Sequence, residues 1–112
     1  ASHSHAADRR QFEENIQRLI TLAKKFTPKI IVLGLTPVDE KKTTPIPWNG
    51  WVYSNDKIKQ YDHVLKEVSE KEKVQYLEVF SLLSVEDLED GLHPTDEGHR
   101  KMFDMVKKKL NV

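Results

Sequence analysis

The sequence predicts an α/β fold, a segment of order α-β-α-β-α with parallel strands. Three observations predict it. Three stretches carry helical spacing of apolar residues. A short β-branched run, Lys29-Ile30-Ile31-Val32-Leu33-Gly34-Leu35, has no polar alternation and reads as a strand buried on both faces. A second, shorter strand at Val74 to Phe80 follows a helix long enough to be a right-handed crossover.

The first helix is expected over roughly Asp8 to Phe26. Phe12, Ile16, Leu19, Ile20, Ala23 and Phe26 fall three or four apart and form its apolar stripe. Lys24, Lys25 and Pro28 mark its end, lysine being favoured near the negative end of the helix dipole. Residues 1–7 are expected as a flexible N-terminus or linker. After the first strand, residues 36 to 53 read as a long loop, with Pro37, Pro45, Pro47, Asn49 and Gly50. That loop also carries Trp48, Trp51 and Tyr53. The second helix is expected from Asn55 to Lys71, with Ser54 as N-cap and Ile58, Tyr61, Leu65 and Val68 as its buried stripe. Residues 81 to 94 read as irregular, with a helical turn near Ser84 to Leu88. Thr95 caps a last helix running to about Leu110. Asp96 and Glu97 suit its positive end, Lys107 to Lys109 suit its negative end, and Met102, Phe103, Val106 and Leu110 supply its core face.

Two parallel strands alone leave each strand with an open edge, and a two-stranded ribbon is marginal. The pattern therefore reads as the second half of a doubly wound domain. The exposed edges predict either a missing segment or a partner chain, a homo-oligomer included. The chain starts Ala1-Ser2-His3-Ser4-His5, without Met or signal peptide, which fits the expectation of a piece of something longer.

Composition narrows the function. The chain has 112 residues, the size of one domain, enough to bury roughly two-thirds of the unfolded surface. Eighteen Lys and Arg balance eighteen Asp and Glu. Zero net charge argues against nucleic-acid binding by bulk positive charge and supports no electrostatic membrane role. No apolar run approaches the ~20 residues of a bilayer span. Cysteine is absent, which removes disulfides, thiol catalysis and Cys-based metal sites. A cytoplasmic location is favoured by the missing cysteine, with any targeting signal lying upstream.

In doubly wound folds, ligands bind beyond the carboxyl ends of the strands. The loop after the second strand holds Asp90-Gly91-Leu92-His93-Pro94-Thr95-Asp96-Glu97-Gly98-His99. A carboxylate three residues before a histidine on a turn can accept from one imidazole nitrogen. That fixes the tautomer and stabilises the imidazolium formed when the other nitrogen takes a proton. Gly91 permits the tight turn and Pro94 pre-sets the helix start. The plain alternative is a loop carboxylate beside a surface histidine.

In Asp90, His93, Pro94, Thr95, Gly98 and His99, in that order, the chain resembles the SGNH (GDSL-type) hydrolases, whose final block reads Asp-x-x-His-Pro. Pro28 to Pro37 resembles the family's penultimate strand and following loop. The resemblance covers the whole chain but only the C-terminal half of the family domain, 1–112 being a segment of one such domain. It implies a three-layer α/β/α, flavodoxin-like fold and hydrolysis of an ester or acyl small-molecule substrate by a Ser-His-Asp triad. It implies His93 as general base and acid and Asp90 as its orienting partner, with no cofactor.

The family's other blocks have no counterpart. There is no Gly-Asp-Ser and no Gly-x-Ser, and the glycine of the second block is missing. Tyr53-Ser54-Asn55-Asp56 imitates the Gly-x-Asn-Asp block weakly, and Ser54 and Asn55 read as capping residues. The nucleophile and oxyanion donors are therefore expected from an N-terminal segment outside these 112 residues. Trp48, Trp51 and Tyr53 have two readings: they cover the sheet edge, or they line a substrate pocket. His99 reads as a structural neighbour of the site. A zinc site from Asp90, His93 and His99 finds little support, because the two histidines do not share a helical face. The alternative to the enzyme is a non-catalytic α/β binding or assembly module that retains the family's turn.

Overall fold

A computed structural model of the chain describes residues 5–43 and 54–110. Its elements are α1 (His5–Lys24), β1 (Ile31–Leu33), α2 (Glu40–Thr43), α3 (Asn55–Lys71), β2 (Gln75–Leu77), a 3₁₀ turn (Val85–Asp87) and α4 (Asp96–Leu110). The strands pair in parallel, Ile31 with Gln75, Val32 with Tyr76 and Leu33 with Leu77. The chain divides into two compact units, Ala1–Gly34 with Gln60–Leu77, and Leu35–Lys59 with Glu78–Val112.

In the first unit, the parallel pair is lengthened by single backbone bonds at its ends. Gln75 N–H donates to Ile30 O, and Gly34 N–H donates to Leu77 O. Ile20, Leu65, Val68 and Leu77 form the buried apolar set. Phe12 meets Tyr61 edge to face, with ring centroids 5.0 Å apart, which joins α1 to α3. At the other end of α1, Lys24 Nζ donates to Glu72 O at 2.7 Å. Helix α3 closes in a Schellman turn: Val74 N–H bonds Ser69 O, Lys73 N–H bonds Glu70 O, and Lys73 takes φ 58°.

The expected burial of the first strand on both faces does not occur. Ile31 and Val32 are half-buried and Leu33 is 38% exposed, because β1 has one strand neighbour among the described residues. The expected α1 stripe is also too wide. Ile20 is buried and Phe12, Ile16 and Ala23 are half-buried, but Leu19 and Phe26 are 61% and 83% exposed. These two lie, with Leu22, on a second stripe that no described element covers.

In the second unit, Val38, Val79, Leu83 and Leu88 are buried. Ser54 caps α3 as expected, its Oγ accepting from Lys57 N–H at 3.3 Å. Asn55 does not cap. Its side-chain amide instead clasps the backbone of Val38, Oδ1 accepting from Val38 N–H at 2.8 Å and Nδ2 donating to Val38 O at 3.0 Å. Asn55 N–H donates to Glu40 Oε1, which ties the short α2, not foreseen in the expected loop, to the start of α3.

Helix α4 starts as expected. Thr95 Oγ1 accepts from Gly98 N–H at 3.1 Å. Its inward face differs from expectation. Gly98, Lys101, Met102, Met105 and Val106 are buried or half-buried, while Phe103 and Leu110 are exposed. The cause is Gly98, where an added Cβ would lie 2.9 Å from Asp87 O. That close approach sets the rotation of the helix, and Phe103, about 100° on from Met102, turns outward. No described helix is long and apolar enough to cross a membrane.

Candidate active site

The Asp90–His93 loop is built from the local backbone outward. Its base is an isolated antiparallel bridge between Leu88 and Pro94. Thr95 N–H donates to Asp87 O at 2.7 Å, and Glu89 N–H donates to His93 O at 2.8 Å. Within that closed loop, Asp90 Oδ1 accepts from the backbone N–H groups of Leu92 (3.0 Å) and His93 (2.7 Å). An aspartate bonding backbone two and three residues ahead is an Asx-type turn, so the residue that orients the histidine also shapes the loop.

The second oxygen makes the chemical contact. Asp90 Oδ2 lies 2.7 Å from His93 Nδ1. The Asp90 carboxyl is lowered from 3.8 to about 2, first by the His93 backbone N–H and then by the His93 side chain. It is therefore ionised at neutral pH and can only accept. In the neutral imidazole Nδ1 then carries the proton and Nε2 the lone pair. The His93 side chain is 66% exposed and that of Asp90 35%, so Nε2 is open to an incoming group. The arrangement can take up a proton at Nε2 and stabilise the resulting cation through Asp90.

Gly91 gives the loop its second anchor. It takes φ +85°, and a Cβ there would lie 2.6 Å from Lys42 Cβ. Its carbonyl accepts from Asp39 N–H at 2.9 Å. The segment Val38–Asp39 is thus held by Asn55 through Val38 and by Gly91 through Asp39. Only glycine meets both the positive φ and the close approach.

The expected pair, Asp90 and His93, is brought together. His99 stands in the first turn of α4, its N–H bonded to Thr95 O and its side chain exposed. Trp48, Trp51 and Tyr53 lie outside the described residues. No group of three or more His, Cys, Asp or Glu placed to hold a metal exists among the described residues.

Two residues that shape this site were not foreseen. Asp87 is buried, and its Oδ2 accepts from Ser84 N–H (3.0 Å), Ser84 Oγ (3.2 Å) and Lys101 Nζ (2.7 Å). The spacing Ser84-x-x-Asp87 resembles a capping box and could have flagged Asp87. Lys101 lies fourteen residues further on, and no local spacing points to it.

Comparison with known proteins bears on the family and the fold. The model of the GDSL-like Lipase/Acylhydrolase family matches residues 3–101. None of the curated proteins matches. Among solved structures, the chain is similar to a Bacteroides fragilis protein assigned as an acylhydrolase, with TM-score 0.76 and 23% identity, over 99% of this chain and 53% of that one. It is also similar to an α/β hydrolase enzyme from the metagenome of Lake Arreo, Spain, with TM-score 0.68 and 13% identity, over 89% of this chain and 46% of that one. The chain spans about half the length of these structures.

Proposed function

Since the chain belongs to the GDSL-like lipase/acylhydrolase family, we propose that it supplies the Asp-His part of a serine ester hydrolase site. The observation that carries this reading is the 2.7 Å bond between Asp90 Oδ2 and His93 Nδ1, with Nε2 open. His93 Nε2 takes the proton of a serine hydroxyl as that oxygen attacks the acyl carbon. It returns the proton to the leaving alcohol, then draws a proton from water in deacylation. Asp90 holds the ring and stabilises the imidazolium throughout. No metal or organic cofactor enters these steps.

The serine and the oxyanion donors belong, in this proposal, to an N-terminal part of the same domain outside these residues. The absence of Gly-Asp-Ser and Gly-x-Ser from the 112 residues supports that reading, as does coverage of about half of each matched structure. Oxyanion donors are typically worth about 2.7–4 kcal/mol each, so the 112 residues alone are expected to hydrolyse esters very slowly.

The test is a short-chain nitrophenyl ester assay on the assembled enzyme that contains this chain. His93→Ala, with folding intact, is expected to lower kcat by about 10⁴-fold or more. Unchanged turnover in that variant overturns the catalytic assignment of His93.

A further inference from the structure

Asp87 is a buried carboxylate that the proposed reaction does not use, and it touches the turn before the Asp90–His93 loop, the loop's exit at Thr95 and the start of α4. Its carbonyl accepts from Thr95 N–H and closes the loop base. Its carboxylate accepts from Ser84 N–H and Oγ at the start of the 3₁₀ turn. Its backbone lies against Gly98 in the first turn of α4. Lys101, one turn along that helix, completes the set at 2.7 Å.

We infer that the Asp87–Lys101 pair positions His93, by locking α4 to the turn from which the Asp90–His93 loop springs. The link is mechanical. His93 is joined to α4 through Pro94 and Thr95 alone, and Pro94 is held by its bridge to Leu88. Asp90 orients the imidazole inside the loop. Nothing in that bond fixes where the loop points relative to the helix. The Asp87–Lys101 bond adds to the Thr95 N–H to Asp87 O bond and the close approach of Gly98 in fixing this, because it spans the loop base from the turn to the second turn of α4. A displacement of about 1 Å at a reacting group is enough to lower a rate by up to ~100-fold.

The charge environment makes Lys101 hard to replace. Asp87 on the turn is its direct partner, with Glu86 beside it and Glu97 on α4 within its field. Arg100 does not serve instead, since it pairs with Glu97 and Asp104. Removing the ammonium therefore leaves a buried carboxylate without its cation among like charges, and the turn and helix are expected to part.

The inference rests on the ester-hydrolase reading for its kinetic consequence but not for its structural one, so two readouts are taken. In the 112-residue chain, the proton on His93 Nδ1 is followed by NMR. Lys101→Met is expected to abolish that signal or speed its exchange at least tenfold, with helix content unchanged, and Lys101→Arg to restore it. In the assembled enzyme, Lys101→Met is expected to lower kcat by 10- to 100-fold with KM nearly unchanged, again rescued by Arg. If Lys101→Met does not fold, Asp87→Asn takes the same two readouts, since it keeps an acceptor for Ser84 and loses the charge. A variant that melts earlier but leaves the Nδ1 proton and the turnover per folded molecule unchanged shows the pair to be structural only, and overturns the inference. Absence of ester hydrolysis by the unaltered enzyme, with the Nδ1 effect intact, sinks the enzymatic reading and leaves the positioning role standing.

Discussion

The loop that carries Asp90 and His93 and the unit that carries β1 are finished to different degrees. In the loop, the backbone N–H groups of Leu92 and His93, the carboxylates of Asp87 and Asp90, and the carbonyls of Asp87, Gly91 and His93 all have partners within the second unit. In the first unit, apolar surface is left over: Leu19, Leu22, Phe26 and Leu33 are exposed. The difference follows from the range of the forces. Most polar groups of this turn are satisfied a few residues away in sequence, while Gly91 O and the Asp87 carboxylate reach further, to Asp39 and Lys101. An α/β sheet is stabilised by burying both faces and both edges, which takes strands and helices from distant parts of a chain. A turn of this kind can therefore be nearly complete while a sheet elsewhere in the chain lacks strand neighbours among the described residues.

The largest effect is expected from breaking the loop at Gly91. Gly91→Ala must place a Cβ at positive φ and against Lys42 Cβ, 2.6 Å away. Strain of this kind costs about 1–3 kcal/mol, and here the neighbour must also move. The denaturant midpoint should fall accordingly, and the Asp39 N–H to Gly91 O bond should open, seen as faster exchange of the Asp39 amide. A variant as stable as the parent, with that amide still protected, shows that the loop does not depend on this turn.

Acid tests the same loop more gently. Asp90 has a lowered carboxyl, about 2 against 3.8. A depressed carboxylate contributes stability that is full above the unfolded value and fades as pH falls through the folded one. The Leu92 and His93 amides, both bonded to Asp90 Oδ1, should therefore lose exchange protection between about pH 4 and pH 2. The amides of Gln75 and Gly34, bonded to backbone carbonyls, should keep theirs across that window. Loss of both sets together makes the transition global and removes Asp90 as its cause.

The same division of forces decides what could be read from the residues beforehand. Helix α3 runs from Asn55 to Lys71 as its periodicity and Ser54 predict, because a capped amphipathic helix is a local object. The Asp90–His93 contact was legible for the same reason: an i, i+3 pair on a turn needs no distant partner. Leu33 was misread as buried, and Leu19 and Phe26 as core, because hydrophobicity shows what a side chain prefers and not whether a neighbour is there to meet it. Phe103 was misread because the facing of α4 is set by the approach of Gly98 to Asp87, which is a tertiary fact. The Asp87–Lys101 bond was invisible for that reason too.

The smallest effect should come from the exposed stripe, and its smallness is the point. A well-buried phenylalanine is worth roughly 1.5–3 kcal/mol in area removed from water, and truncating one costs about 3–5 kcal/mol. Phe26, at 83% exposed, keeps nearly all its surface in water in both the folded and unfolded chain. Phe26→Gln should therefore change the stability of the 112-residue chain by no more than about 0.5 kcal/mol. Val68→Ala, at a site 1% exposed on α3 in the same unit, should cost about 2 kcal/mol or more, since it removes two methyl groups and leaves a cavity. Chemical denaturation of the two variants side by side measures the ratio. Equal losses mean that something covers Phe26 in solution, and the contrast between a completed loop and an uncovered unit then fails at the one residue where it is drawn most sharply.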